Sequence, residues 1–272
     1  MSVSTGSAGR QERPARRETA PLWRMAAAQT WAVLLFYRRS PMFIIFSAVF
    51  PIFFYAIFGL TFGGQKLPGG LTVSALIMAH MAAYSVSSVL VLNIGIGQAN
   101  RRAQKLDLLQ RATPLPPWVA IFADAIGGLA LSLASVLVLF LFAAVAGGVR
   151  LDAVLYLDLL WRLLLGALPM LGLGLAIGYA ANAQAAPAIA NLIYLPMSFL
   201  SGIFIPLQVL PSFVQHIAPY FPTYHYAQLV EGPLGTAQEG LGASLLWLVA
   251  WGVVLFAAGI RFYRLDQRRK FA

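Results

Sequence analysis

The sequence predicts an all-α polytopic membrane protein with six transmembrane helices, on three observations. First, six long apolar runs fill almost the whole chain, at residues 41–62, 71–97, 118–146, 157–180, 186–206 and 243–260. Each is close to or above the roughly 20 residues a helix needs to cross the hydrocarbon core, at about 1.5 Å per residue. Second, the chain is 60% hydrophobic and 10% charged, with a mean hydropathy of +0.76, outside the range of ordinary soluble domains. The run 131–144 does not alternate apolar and polar residues, which argues against a membrane β-barrel. Third, the cations are segregated. All of the 19 Lys and Arg except Lys66, Arg150 and Arg162 lie before the first run, between the second and third, or after the sixth. With six crossings those three regions share one side, and the positive-inside rule puts both termini in the cytoplasm.

Along the chain, residues 1–20 are rich in Ser, Gly and Arg and read as a disordered cytoplasmic tail; residues 21–272 read as one transmembrane domain. There is no apolar core for a cleaved signal peptide, so the first membrane helix is expected to direct insertion. In residues 21–39, Trp23, Ala27, Thr30, Trp31, Leu34 and Leu35 recur at helical spacing among Arg24, Arg38 and Arg39. This suits an N-terminal interfacial amphipathic helix; the other reading extends the first membrane helix. Pro41 suits a helix start, and a Gly-rich turn at 63–70 follows the first crossing.

Residues 100–113 read as a short amphipathic helix on the cytoplasmic side, with Arg101, Arg102 and Lys105 beside Leu106 and Leu109, ended by Thr113-Pro114-Leu115-Pro116-Pro117. In the fourth run Asp158 and Arg162, one turn apart, suit an ion pair near the outer end. Residues 207–240 carry Phe213, Tyr220, Phe221, Tyr224 and Tyr226 broken by prolines, which fits short outer re-entrant or interfacial helices before the last crossing. His216 and His225 are placed in that interfacial aromatic layer. Gly59-xxx-Gly63 and Gly174-xxx-Gly178 let backbones approach, either within the chain or in a dimer.

The chemistry offered is sparse. There is no cysteine, no HExxH pattern and no Gly-Lys dipeptide, hence no phosphate-cradling Walker A loop. No metal site, catalytic residue or nucleic-acid role is expected. His80 sits inside the second run with no partner evident in sequence; it is either a functional ionisable group or a neutral histidine packed between helices. Work done uphill would draw on another chain.

Leu195-Pro196-x-x-Phe199-Leu200-Ser201-Gly202-x-Phe204-x-Pro206, with Leu210-Pro211 and Pro219, resembles the signature of ABC-2-type permeases, the membrane subunits of ABC exporters of the daunorubicin/doxorubicin drug-efflux kind. Arg39-Ser40-Pro41 with Pro51, and residues 108–115, resemble the family's first-helix start and second cytoplasmic loop. Where related permeases often carry an acidic residue beside the basic one opening that loop, this chain has Asn100. The resemblance implies an ABC ATP-binding subunit carrying ATP and Mg, and a second permease subunit, identical or paralogous. It implies a bacterial inner (plasma) membrane location and outward export of an amphipathic or lipid-like solute. The loop expected to couple to the ATPase carries Arg101, Arg102, Lys105, Leu106, Leu109 and Arg111. The translocation path is expected along His80 and Asn93 of the second helix and Asn191, Tyr194, Met197, Phe199 and Ser201 of the fifth. The alternatives are a secondary carrier or channel working without ATP, and a non-transporting membrane scaffold; both dispense with an ATP-binding partner.

Overall fold

The computed structural model describes residues 21–39, 41–67, 70–106 and 115–270. Among these the fold is helical, with no strands beyond an isolated antiparallel bridge between Lys66 and Thr72. Helix α1 spans Leu22–Arg39. Helix α2 begins at Pro41–Phe54 and continues through a π turn, Tyr55–Gly59, to Leu60–Phe62. The π turn follows Pro51, whose ring removes a backbone donor and crowds the preceding turn; widening the next turn accommodates both. Helix α3, Val73–Ala103, is also interrupted by a π turn, at Val89–Ile94. Helix α4 is Pro117–Ala146, α5 Ala153–Ala180 and α6 Ala186–Leu200. The short α7, Ser212–Ile217, and α8, Pro222–Glu231, precede the long α9, Leu241–Lys270.

Among the described residues, four helices are long and apolar enough to cross a membrane, Val73–Ala103, Trp118–Ala146, Ala153–Ala180 and Leu241–Arg268; Ala48–Phe62 and Ala186–Leu200 are shorter apolar helices. The fifth apolar run was expected to continue to residue 206. Instead α6 stops at Leu200, because Gly202 takes φ +91°, a left-handed conformation that ends a helix and that other residues adopt only with strain. At 15 residues, α6 is roughly 22 Å long. Ser201, Gly202, Ile203 and Phe204 remain buried beyond its end, so the chain stays in the protein interior without helical structure.

The inner layer is α3 and α5, most of whose apolar residues are buried, while α4 and α9 leave most of theirs exposed, with apolar outer surfaces suited to lipid. At the centre α3 and α5 touch backbone to backbone. A Cβ on Gly174 would lie 2.3 Å from the Leu90 carbonyl oxygen, and Gly178 fits against Gly95 and Gln98 in the same way. The Gly174-xxx-Gly178 pair is therefore used for packing within the chain. Helix α8 was expected at an outer interface; its residues Pro222 to Val230 are instead all buried, wedged among α3, α5 and α9. Tyr226 is fully enclosed there, and its hydroxyl donates to the Leu163 carbonyl at 2.7 Å.

Helix α1 lies against α4, with Val33 and Tyr37 over Gly127. Trp23 (66% exposed), Trp31 (64%), Arg24, Arg38 and Arg39 all stay on its exposed side, where Arg24 stacks over the Trp23 ring at 5.2 Å. Burial, aided by the Asp124 carboxylate, pushes the Tyr37 hydroxyl up to about 12. The folded state thus holds this proton more tightly than the unfolded chain, whose tyrosine titrates near 10. The stabilisation this provides is present below about pH 10 and is lost as pH rises toward about 12. Ultraviolet titration of the folded protein should show tyrosine absorbance still rising late, and Tyr37→Phe should reduce that late component by one tyrosine.

Candidate functional site

Polar side chains gather at two ends of the bundle. At the basic end, α3 does not stop before the loop but runs on through Arg101 and Arg102 to Ala103. This corrects the expectation of a separate helix starting at residue 100. The break comes at Gln104 and at Lys105, whose φ is +57°. Leu106 is exposed; Leu109 and Arg111 lie outside the described residues.

Arg101 and Arg102 are engaged within the chain. Arg101 donates to both carboxylate oxygens of Asp124 on α4, at 2.8 and 2.5 Å, and to Gln98 Oε1 at 2.7 Å. Arg102 donates to Asp266 Oδ1 on α9 at 2.5 Å and to the Gly178 and Ala181 carbonyls at the end of α5, at 2.7 and 3.0 Å. Gln98 Nε2 donates to the Tyr179 hydroxyl at 2.6 Å. Asp124 and Asp266 are both buried, so each needs its arginine. Neither carboxylate was singled out from sequence for a role, although Asp124 near the start of an otherwise apolar run was a signal for it. Asp266, set among cations, carried none.

At the opposite end a chain of buried polar groups surrounds α8. His80, which has no evident partner in sequence, meets Glu231 at 2.8 Å between Nε2 and Oε1. The other Glu231 oxygen accepts from Gln228 Nε2 at 2.9 Å, and Gln228 Oε1 accepts from the backbone N–H groups of Gln238 and Glu239. Glu239 Oε2 meets His225 Nδ1 at 2.9 Å, and His225 Nε2 lies 2.8 Å from the Pro219 carbonyl. A carbonyl only accepts, so Nε2 carries a hydrogen and a second proton lies between Nδ1 and Glu239. His225 is 0% exposed and stacked on Trp247, with centroids 5.1 Å apart. It is thus a buried partner of Glu239, not a member of an interfacial layer; His216, by contrast, is exposed. On α5 the predicted pair forms, Arg162 Nε donating to Asp158 at 2.9 Å while Nη1 reaches the Leu229 carbonyl of α8 at 3.1 Å.

The residues expected to line a translocation path are not brought together on one surface. Tyr194, Met197 and Ser201 are buried within the chain, Tyr194 donating to the Tyr84 carbonyl at 3.1 Å. Asn191 and Phe199 are exposed on α6; the Asn191 amide turns back to the Pro187 carbonyl. Asn93 is half-buried in the π turn of α3, and His80 belongs to the network around α8. The fifth-helix motif proves to be turn chemistry. Pro196 sits in α6 and Gly202 ends it. Pro206 and Pro211 precede short helical turns, and Pro219 supplies the carbonyl that receives His225. Phe199, Phe204, Tyr84, Phe50 and Phe54 stack around the same turn. Among the described residues no three His, Asp or Glu side chains come together as metal ligands.

The sequence profile of the ABC-2 type transporter family matches residues 26–232, from α1 to the end of α8. The chain is also similar to the "Putative transport permease YvfS" of Bacillus subtilis (strain 168), 29% identical over 234 residues, covering 84% of this chain and 92% of the relative. With four helices among the described residues long and apolar enough to cross a bilayer, and a family match over more than half its length, the chain is a multi-pass membrane transport permease and belongs to the ABC-2 type transporter family.

Proposed function

We propose that this chain is the permease subunit of an ATP-driven exporter that moves an amphipathic or lipid-like solute, of the kind that includes drugs, out of a bacterial cytoplasm. The family match over residues 26–232 carries this reading, since such permeases normally work with an ATP-binding subunit. In the proposed arrangement α2 and α6 complete six crossings with the four long helices, and the basic end faces the cytoplasm with both termini. ATP and Mg are held by the partner, and two permease copies, identical or paralogous, face each other. Residues 104–106, with Leu109 and Arg111 beyond, provide the docking surface for the ATPase. Asn93, Asn191 and Phe199 line the path between copies. Helix α1, with Trp23, Trp31, Arg24, Arg38 and Arg39 outward, lies against lipid headgroups.

The test is ATP turnover by the permease reconstituted in liposomes with an ATP-binding subunit from the same genome that co-purifies with it. Turnover that depends on the permease, and uptake of a lipophilic fluorescent dye into inverted vesicles on adding ATP, are expected. Turnover indifferent to the permease would refute the reading. A carrier working without ATP is favoured by one observation, the buried His80–Glu231 pair, because ionisable groups inside membrane bundles often bind the coupling ion. Dye flux driven by a proton gradient in vesicles of the permease alone would select that reading.

A further inference from the structure

Arg101 and Arg102 are consecutive, yet their guanidinium groups diverge. Arg101 reaches α4 through a two-oxygen contact with Asp124; Arg102 reaches α9 through Asp266 and the last turn of α5 through two carbonyls. The last turn of α3 therefore touches three other helices by charge-assisted hydrogen bonds, immediately before the chain breaks at Lys105. Aromatic contacts reinforce the junction: Tyr179 lies under Arg102 and packs edge-on against Tyr263 of α9.

An apolar cluster would hold four helix ends together at least as well, because burying ion pairs costs desolvation that their attraction offsets only in good geometry. What rigid, directional pairs add is a fixed relation between helices, since a guanidinium fork on a carboxylate tolerates little sliding. We infer that the Arg101–Arg102 pair is a clasp that passes a displacement of the end of α3 to α4, α5 and α9 together, and that Asp124 and Asp266 are positioning residues for coupling. This rests on the exporter reading, and it places the two arginines inside the permease instead of on the docking surface. Each carboxylate serves its own helix: Asp124 delivers the movement to α4, Asp266 to α9.

The chain has no cysteine, so single reporters can be placed without background. Bimane is attached at Phe122→Cys on α4 or at Ile260→Cys on α9, both exposed positions near their carboxylates. Emission is then compared between the nucleotide-free and vanadate-trapped complex with the ATP-binding subunit. The wild-type background is expected to show a shift at both reporters. Asp266→Asn should abolish it at residue 260 and keep it at 122; Asp124→Asn should do the reverse, and Asp266→Glu should restore the shift at 260. Shifts that stay at wild-type size in both asparagine variants, or that vanish at both sites in an assembled complex, overturn the clasp alone. No shift at either site in the wild-type background overturns the exporter reading and the clasp with it. Should Asp266→Asn not assemble, Arg102→Lys provides the same comparison. It keeps a cation for Asp266 and drops the paired carbonyl contacts, so a reporter at Ala180→Cys on α5 should lose its shift while residue 260 keeps it; the opposite pattern counts against the clasp.

Discussion

Gly174→Ala should cost the bundle heavily in stability, because it adds a methyl group where the backbones of α3 and α5 touch. The new carbon would sit 2.3 Å from the Leu90 carbonyl oxygen, 3.2 Å from its carbon and 3.3 Å from Val91 Cα. All three are backbone atoms, so no side chain can swing aside. Relief requires α3 and α5 to separate along their closest approach. That separation would also stretch the Gln98–Tyr179 and Arg102–Gly178 hydrogen bonds farther along the same two helices. Overpacking of a filled interior costs about 1–3 kcal/mol, and the loss here should reach or pass the upper end. Gly252→Ala is the control, since nothing lies within 4 Å of a Cβ at that site on α9. Thermal unfolding in detergent should leave Gly252→Ala near the wild type and lower Gly174→Ala well below it. Equal melting temperatures for the two would show that α3 and α5 do not meet as described.

Glu239→Ala is expected to have the second large effect. His225 is wholly enclosed, and its Nε2 hydrogen is already committed to the Pro219 carbonyl. Without the carboxylate, Nδ1 faces no partner, and a buried polar atom left unsatisfied costs roughly 1–3 kcal/mol. Glu239→Gln should be much milder. A neutral imidazole that keeps its hydrogen on Nε2 can accept at Nδ1 from the glutamine amide, and the Glu239 backbone N–H to Gln228 is untouched. The ordering wild type, Gln, then Ala in melting temperature is the expected result. A Glu239→Ala protein as stable as Glu239→Gln would remove His225 from the role given to it. Because α8 is held by this network and by Tyr226, limited proteolysis in the segment 232–240 should accelerate in the alanine variant alone.

The contrast between what was and was not legible follows the range of each interaction. The Asp158–Arg162 pair lies one helical turn apart, so spacing alone foretold it. The end of α6 could have been read from Gly202, the one residue type that turns left-handed without strain, but a run counted by hydropathy passes through glycine unnoticed. Arg102 and Asp266 are 164 positions apart and His80 and Glu231 are 151 apart, with nothing local to join them. Arg101 and Arg102 therefore read as free cations for a partner, although their carboxylates are inside the chain. Helix α8 misled for a related reason. Its tyrosines, histidine and glutamine look interfacial by type, and they can be buried because the Leu163 carbonyl of α5, the Met197 carbonyl of α6, the Glu239 carboxylate before α9 and α8's own Glu231 bond its polar side chains.

Sequence by itself determined the solvent: runs of apolar residues with few charges are stable only where hydrocarbon surrounds them, and the cations are set apart from them. It also determined the family, through a proline- and glycine-marked turn that other residues would distort. Tertiary structure alone decided which helices lie inside, where α3 and α5 touch, and which carboxylate neutralises which cation. The physical reason is that hydropathy and turn propensity act over a few residues, whereas buried charge is satisfied only by groups that the fold brings from distant parts of the chain.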